Sequence, residues 1–444
     1  MNSQDNHSHN SPANALILPD DAIRITCHRP LSKPMTTVVI VQLSRIIPTD
    51  LHIDLEWYRA EDKVFVRQQH QKTEKNRLSF HFVLSPGLYY LSVGLFTADW
   101  KDCLWWKDNI QFLRIPERTQ HPRVNDVSQA AHHSYWRFLR QYAHGVQSDQ
   151  LKIVRPQNDC DTVSEGMAYG LLLALAHNDR KTFDRLWQYV KSRLNNHGLM
   201  PWHFRVDDTI LDRGSAADAD QDIAFALIAA GKRWHHNDYQ RAGIKLIHAI
   251  RRWDTAGSNM KPGDQWSNAN IINPSYICPH YYSAFYQATN DRWWRQWEER
   301  SLRWLSQLQH PSSGLWPDWY CQNSQVPCPY DTNIFSYEAV RIPWRIYWAI
   351  NQDMPILAPL LQAICPFFVE QALIHLRNSY TLSGQPLTQQ LSGAFVAVSA
   401  LVHQFCQYRS FPDIFTTYVI EWIPETYYDA VIQSLVLSTL AGFL

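Results

Sequence analysis

The residues best suited to chemistry in this sequence are carboxylates at the starts of predicted helices. Glu165 lies in the segment Asp161–Gly170, beside two glycines and Tyr169, a setting that suits an acid facing a substrate. Thr162 and Glu165 also have the spacing of a capping box, in which the glutamate only satisfies a free backbone N–H at the start of a helix. The segment alone therefore leaves a catalytic role and a capping role open.

A second acidic group consists of Asp218, Asp220 and Asp222, in the first turns of a helix predicted over 218–234. Aspartate near a helix N-terminus is favoured by capping and by the helix dipole, which accounts for one or two of the three. Asp218 and Asp222 stand four residues apart on one face, where like charges repel. One of them is therefore expected to have a compensating partner or ligand, and Asp218 is the candidate for function.

Glu338 is the third candidate, near the start of a helix predicted over 335–350. Arg341 follows three residues later, so a surface ion pair is the structural alternative. The loop before this helix carries Trp316 and Trp319 around a Pro-Asp pair, and loops often carry function.

These three carboxylates share a position, the opening turn of a helix that follows a loop. In a ring of alternating inner and outer helices the inner ones run the same way, so their N-terminal ends meet and the carboxylates are predicted to converge. Two carboxylates, one protonated and one ionised, are what hydrolysis of a glycosidic bond needs. Since helix dipoles favour the charged form, the acid must have its pKa raised by burial or by a neighbouring carboxylate.

The elements that must position these residues fall into two regions, after a polar tail over residues 1–20. Residues 21–120 contain short β-rich runs separated by turns such as Ser85-Pro86-Gly87, which predict a small all-β, immunoglobulin-like sandwich. Residues 121–444 show long helical periodicity and predict an all-α domain. Its eleven predicted helices cover 129–145, 163–177, 180–194, 218–234, 238–253, 278–288, 291–308, 335–350, 356–376, 390–408 and 426–443.

Composition limits the classes of partner. Forty-one basic and 41 acidic residues balance, which argues against nucleic acid or anionic lipid as the partner. No apolar run approaches a membrane span of roughly 18 residues, and no secretory signal is recognisable, so the chain as written reads as cytoplasmic.

Cys321 and Cys328 are the only close cysteine pair; the eight cysteines are interpreted as free thiols, with a bridge between these two as the alternative in an oxidising compartment. Trp100 and its neighbours Trp105 and Trp106 suggest either packing or a carbohydrate-binding face.

Five motifs, in order and spacing, resemble family 8 glycoside hydrolases over about residues 128–444. They are Ser164-Glu165-Gly166-Met167-x-Tyr169-Gly170, Ala217-Asp218-Ala219-Asp220-x-Asp222, Asn273-Pro274-Ser275-Tyr276, Pro317-Asp318-Trp319 and Tyr337-Glu338-Ala339-x-Arg341-x-Pro343-Trp344. The resemblance implies an (α/α)6 barrel and inverting, endo-acting hydrolysis of β-1,4-linked glycans, mainly cellulose, with xylan, chitosan and lichenan as other substrates. No metal or organic cofactor is implied.

The resemblance also assigns roles to individual residues. Glu165 matches the general acid, and Asp218 matches the aspartate that contacts the sugar at the cleavage subsite. The family's base is usually the aspartate of a Tyr-Asp-Ala-x-Arg motif, and this sequence carries Glu338 there; its longer side chain either still holds the water or crowds its place. Asp331, in a loop, is a substitute base or an ordinary turn residue. Arg341 matches the arginine beside the base, which helps to keep that carboxylate ionised.

Four aromatic residues in or beside the motifs are candidates for binding sugar, with barrel core as the alternative for each. They are Trp202, Tyr276, Trp319 and Tyr337. The sequence thus predicts an endo-β-1,4-glucanase. The alternatives are a glycan-binding protein of a polysaccharide-producing system, with the β domain as a docking module, or the same chemistry on another β-glycan. Because relatives generally act outside the cytoplasm, often alongside cellulose synthesis, the resemblance favours a periplasmic or extracellular location and cellulose-synthesis machinery as a partner.

Overall fold

The structure is a computed structural model, and the chain divides into two compact units, Met1–Gln120 and His121–Leu444. The predicted tail over 1–20 and the turn residues Ser85 and Pro86 lie outside the described residues. Those described are 23–28, 36–44, 47, 50–59, 65–75, 77–83, 87–115, 124–266, 270–322, 328–370, 376–406, 419–420 and 422–444.

The first unit contains two antiparallel sheets, with strand orders β1-β2-β5 and β4-β3-β6-β7. The short β-rich runs recognised in the sequence do not include strand β4. Its side chains are mostly exposed and polar, so it lacks the apolar alternation by which a strand is recognised. The strands are β1 (Ile23–His28), β2 (Thr36–Leu43), β3 (His52–Arg59), β4 (Phe65–Lys72), β5 (Arg77–Val83), β6 (Gly87–Phe96) and β7 (Cys103–Ile115).

One apolar core joins the two sheets of the first unit. In β3 the alternate residues Ile53, Leu55 and Trp57 are fully buried, and they belong to the same cluster as Val39 of β2 and Phe80 of β5. The apolar residues of β3 thus alternate with polar ones, as expected of a strand with one face against an apolar core, although the intervening Asp54 is also buried.

The second unit is helical, and each predicted helix has a counterpart among the described residues. The helices are α1 (Val124–Tyr142), α2 (Ser164–Ala176), α3 (Arg180–Lys191), α4 (Ala217–Arg233), α5 (Asn237–Trp253), α6 (Pro279–Thr289), α7 (Trp293–Leu308), α8 (Arg341–Asn351), α9 (Ala358–Glu370), α10 (Gly393–Phe405) and α11 (Tyr427–Leu440). None of the described helices combines the length and the apolar character that crossing a membrane requires.

Two classes of helix alternate along this unit. In α2 every residue except Glu165 is buried, whereas α5 buries one stripe that includes Tyr239, Leu246 and Ile250. A helix buried on all sides is an interior element and a striped one covers it. The helices α2, α4, α6, α8, α10 and α11 contact one another in that cyclic order, and α11 contacts α2.

Short strands and turns connect these helices. Within the described part of the chain, 3-10 turns lie at Pro156–Asn158, Pro274–Tyr276 and Pro355–Leu357. The strands are β8 (Ala143–Gln147), β9 (Gln150–Ile153), β10 (Thr162–Val163), β11 (Pro201–Phe204), β12 (Ile210–Ser215), β13 (Thr255–Ala256), β14 (Asn259–Met260), β15 (Ile271–Ile272), β16 (Tyr320–Cys321), β17 (Ile334–Phe335) and β18 (Tyr380–Thr381).

Four cysteines form disulfides, so their interpretation as free thiols is wrong. Cys321 pairs with Cys328, and Cys365 in α9 pairs with Cys406 at the end of α10, with Cα–Cα distances of 5.8 and 6.4 Å. The second pair is 41 residues apart in sequence and is brought together only by the packing of α9 on α10, which sequence spacing does not show.

Candidate active site

A single buried arginine holds the three predicted carboxylates together. Arg341, the first residue of α8, donates from Nη1 to Glu165 Oε2 and to Asp218 Oδ2, both at 2.8 Å, and from Nη2 to Glu338. Its side chain is 1% exposed. The buried position excludes the interpretation of the Glu338–Arg341 pair as a surface ion pair, although the pair itself is present.

The capping box predicted for Thr162 and Glu165 does not form. Helix α2 begins at Ser164 with Val163 as its N-cap and no side-chain cap, because Thr162 is paired with Phe204 in the small sheet β10-β11-β12. The carboxylate of Glu165 extends instead to Arg341 at the start of α8. Its hydrogen bond therefore joins two helices that are distant in sequence and does not cap its own helix.

The environment of Glu165 favours its protonated form. Burial raises its pKa to about 7; Arg341 opposes this rise, whereas the charges of Asp218 and Glu338 add to it. The side chain nevertheless keeps 23% of its surface exposed, so it is not closed off from solvent. A carboxyl group with this pKa is able to carry a proton near neutral pH, as a general acid must.

Both aspartates of the repelling pair have an arginine partner. Asp218 contacts Arg341, and Asp222 accepts two hydrogen bonds from Arg345 at 2.6 and 2.8 Å. Tyr281 donates a further bond to Asp222. Asp222 is thus neutralised within the core, whereas Asp218 keeps Oδ1 without a partner among the described residues, and burial raises its pKa.

Glu338 lies in a turn before α8 rather than in the helix, so the predicted helix start at 335 is wrong. Asp318 accepts the backbone N–H groups of Ser336 and Ala339, each at 2.8 Å, as well as the Ser336 hydroxyl. These bonds from a distant loop hold the turn in place and let the helix begin at Arg341. Asp318 has a pKa raised by burial to about 6.

The two carboxylates proposed to act as a pair are close. Glu165 and Glu338 contact the two terminal nitrogens of one guanidinium. These nitrogens are about 2.3 Å apart, so the contacting oxygens lie within about 8 Å of each other. Asn273 also donates to Glu338 Oε2, at 2.9 Å.

Aromatic rings extend from this centre. Tyr276 lies with its ring centroid 5.7 Å from the Arg341 guanidinium and meets Trp319 edge-on at 6.1 Å. Trp319 stacks on Tyr330 at 4.3 Å and on Trp266 at 5.9 Å. We call these four residues, all partly buried, the aromatic cluster. Trp266 and Tyr330 were not predicted as site residues. They lie in loops outside the motifs, and their aromatic character was the only signal in the sequence that could have identified them.

The other two aromatic candidates are more exposed. Trp202 is 36% exposed on β11 and stacks on His203. Tyr337 is 40% exposed, and its hydroxyl accepts a hydrogen bond from Asn378 at 3.0 Å. Neither is barrel core, so both rings are open to a ligand.

The alternative base, Asp331, is an exposed turn residue. It accepts the backbone N–H of Asn333 at 2.8 Å and, within the described part of the chain, contacts none of the three carboxylates. The turn interpretation is therefore the one that the structure supports.

A second acidic network supports the start of α4, and the sequence motifs missed it. Asp264 accepts the backbone N–H of Ser215 at 2.8 Å, and the Ser215 hydroxyl donates to Asp254 at 2.9 Å. Burial raises the pKa of Asp254 to about 8, and burial together with the Asp254 charge raises that of Asp220. Among the described residues, no group of three or more His, Cys, Asp or Glu side chains is arranged to hold a metal ion.

The chain is similar in sequence to known glycoside hydrolases. The model of the family described as "Glycosyl hydrolases family 8" matches residues 126–440. Endoglucanase A of Acetivibrio thermocellus is 33% identical over 251 residues, which cover 53% of this chain and 52% of that protein. A reducing-end xylose-releasing exo-oligoxylanase of Paenibacillus barcinonensis is 29% identical over 273 residues, covering 55% and 70%. The chain spans about half the length of the first curated relatives it matches.

Solved structures share the fold. The apo structure of a β-1,3-1,4-glucanase from Paenibacillus sp. X4 matches with a TM-score of 0.68 and 23% identity, covering 73% of this chain and 94% of that chain. The exo-oligoxylanase of Paenibacillus barcinonensis in complex with xylose matches with a TM-score of 0.64 and 22% identity, covering 72% and 94%.

Proposed function

This chain belongs to glycoside hydrolase family 8, and on that premise we propose that it hydrolyses internal β-1,4-glycosidic bonds of a cellulose-like glucan with inversion at the anomeric carbon. One observation carries the proposal: Arg341 joins the carboxylates of Glu165, Asp218 and Glu338. A buried arginine with three acidic partners leaves an excess of negative charge, which favours a stored proton.

Glu165 is the general acid in this proposal. Its pKa of about 7 keeps a large fraction protonated near neutral pH. The proton passes to the glycosidic oxygen as the bond to the anomeric carbon breaks, and the carboxylate that forms is stabilised by Arg341 at 2.8 Å.

Glu338 is the general base. It accepts a proton from the water that attacks the anomeric carbon from the opposite face of the sugar. Inverting enzymes separate the two carboxyl groups by roughly 6.5–9.5 Å to leave room for that water, and the bound of about 8 Å set by the shared guanidinium is compatible with this range. In this proposal Oδ1 of Asp218, a buried atom without a partner among the described residues, accepts a hydrogen bond from a sugar hydroxyl at the cleavage subsite.

The proposed substrate is a neutral β-1,4-glucan. The aromatic cluster and the more exposed Trp202 and Tyr337 supply rings of the kind that stack on apolar faces of sugars. Relatives are named endoglucanase, exo-oligoxylanase and β-1,3-1,4-glucanase, so a panel of cello-, xylo-, chito- and mixed-linkage oligosaccharides is the direct comparison of substrates.

The architecture and location belong to the same proposal. The cyclic contacts of six buried helices support an (α/α)6 barrel over residues 121–444. The strand orders in the first unit support an immunoglobulin-like accessory domain over 21–120. The two disulfides support an oxidising, periplasmic or extracellular compartment, with cellulose-synthesis machinery as a partner.

The test measures reducing ends released from cello-oligosaccharides by the parent protein and by Glu165→Gln and Glu338→Gln variants. We expect each variant to lose at least about 1000-fold in kcat, while Glu299→Gln, at an exposed position of α7, keeps the parental rate. NMR of the first product should show the α-anomer. Activity that survives Glu165→Gln removes the acid assignment, a β-anomer removes inversion, and binding by the parent without turnover makes the chain a glycan-binding protein.

A further inference from the structure

One oxygen of Glu338 is fully committed to the protein. Oε2 accepts hydrogen bonds from Asn273 Nδ2 at 2.9 Å and from Arg341 Nη2, and it lies 3.4 Å from Ser275 Oγ, whose proton is donated to Asn273 Oδ1 at 2.7 Å. The other oxygen, Oε1, makes no hydrogen bond with the described residues. The carboxylate is therefore held through one oxygen, and the side chain as a whole is 32% exposed.

Asn273 has a fixed orientation that makes it a donor to Glu338. Its Oδ1 accepts the backbone N–H of Ser275 at 3.0 Å and the Ser275 hydroxyl at 2.7 Å, which caps the 3-10 turn Pro274–Tyr276. With Oδ1 occupied in this way, the NH2 group must point to Glu338. Asn273 is buried, so its amide group does not exchange these hydrogen bonds for bonds to solvent.

We propose that Asn273 and Ser275 are positioning residues that hold Oε2 of Glu338 against Arg341 and leave Oε1 to take the proton of the attacking water. The proposal rests on the proposed function, in which Glu338 is the base. Neither residue is assigned a contact with the substrate. Asn273 acts through the carboxylate of Glu338, and Ser275 acts through Asn273 and through Arg341, whose Nη2 donates to the Ser275 hydroxyl oxygen at 2.8 Å.

This arrangement explains how a glutamate serves where the family usually has an aspartate. The additional methylene lets the carboxylate extend across to Asn273 and Ser275, which lie on a different segment of the chain from the turn that carries Glu338. Because Oε2 is anchored at Asn273, the additional length of the glutamate side chain does not push Oε1 into the position of the attacking water. A shortened side chain is unable to reach both, and Glu338→Asp should therefore lose activity in this chain.

The decisive variant is Asn273→Asp, which separates the two roles of this side chain. Aspartate still accepts from the N–H and hydroxyl of Ser275, so the cap is kept, but the donor to Glu338 is replaced by a second negative charge. We expect kcat to fall about 100-fold with KM changed less than about threefold. The acidic limb of the pH–kcat profile should move to higher pH, because the added charge disfavours the ionised base.

Three further variants complete the experiment. Ser275→Ala, which removes the weaker contact, should lower kcat about fivefold to tenfold, and Asn273→Asp added to Glu338→Gln should cause no further loss. Asn237→Asp, at the exposed start of α5, adds the same charge elsewhere and should leave kcat and its pH profile unchanged. Thermal melting of each variant accompanies the kinetics.

The outcomes distinguish this proposal from the proposed function. If Glu338→Gln is inactive while folded Asn273→Asp and Ser275→Ala variants keep the parental kcat and pH profile, the positioning role is wrong. If Glu338→Gln retains activity, the base assignment itself is wrong. A loss of kcat in Asn273→Asp that appears without any shift of the acidic limb assigns Asn273 to the turn alone and also overturns the positioning role.

Discussion

The charge of Asp218 should control the protonation of Glu165. The oxygens of the two carboxylates each lie 2.8 Å from the same nitrogen of Arg341, so they are at most twice that distance apart. Replacing Asp218 with asparagine removes the charge but keeps an oxygen able to accept from Arg341. Because a negative neighbour disfavours the charged form of an acid, its removal must lower the pKa of Glu165.

The size of the effect follows from Coulomb's law. Two unit charges about 5 Å apart interact by roughly 3 kcal/mol at an effective dielectric constant of about 20, which is about two pKa units. Glu165 is 23% exposed, so solvent reduces this value. We therefore expect the pKa of Glu165 to fall from about 7 by about one to two units in Asp218→Asn.

Isotope-edited NMR measures this pKa without any need for turnover. Glutamate labelled at the side-chain carboxyl carbon is titrated from about pH 4 to about pH 9, and the resonance absent from Glu165→Gln identifies the residue. The measurement is made on the parent, on Asp218→Asn and on Asp212→Asn, which removes a charge from an exposed position of β12.

An unchanged or increased midpoint in Asp218→Asn would refute the electrostatic coupling. It would mean that desolvation alone sets the protonation of Glu165 and that the convergence of carboxylates has no part in it. Asp212→Asn should leave the midpoint within about 0.2 units, since solvent screens a distant surface charge; an equal shift in both variants would indicate a general effect of net charge.

Three further outcomes are expected. The unfolded chain loses the Asp254 proton near pH 4, whereas burial raises the folded pKa to about 8. The unfolding free energy therefore falls by up to about 5 kcal/mol as pH rises through that window, and Asp254→Asn should remove most of this fall in melts at both pH limits. Arg345→Met should cost about 3–5 kcal/mol in denaturant unfolding, because it leaves buried Asp222 without its partner. Reduction of the Cys365–Cys406 bridge should lower the free energy of unfolding by about 2–4 kcal/mol, seen as a lower Tm in the presence of reductant. A Cys365→Ser, Cys406→Ser double variant should show the same lower Tm in the absence of reductant.

The sequence allowed the helices to be predicted because their apolar periodicity is long and continuous. Each of the eleven predictions has a counterpart among the described residues. Local signals failed where a distant segment decides the structure. The capping box of Glu165 gave way to a strand pairing with Phe204, and the helix start near Glu338 was displaced by bonds from Asp318.

Partners within the site were harder to predict than the site itself. The motifs singled out Glu165, Asp218 and Glu338, but no pattern indicated that one guanidinium would contact all three. The network of Asp254 and Asp264 escaped because these residues lie outside the motifs, and buried polar partners are chosen by packing in three dimensions. The same holds for the disulfide between α9 and α10.

Asp318 and Trp319 are adjacent in the chain, and this has a consequence for engineering the enzyme. Asp318 holds the turn that carries Glu338, and Trp319 belongs to the aromatic cluster. In the proposed function, a substitution of Trp319 that changes sugar binding therefore acts one peptide bond from Asp318, which anchors the turn of the proposed base. Substrate preference and turnover are coupled at this point, so a change of specificity is better sought at Trp266 or Tyr330, which contact the same ring from other segments.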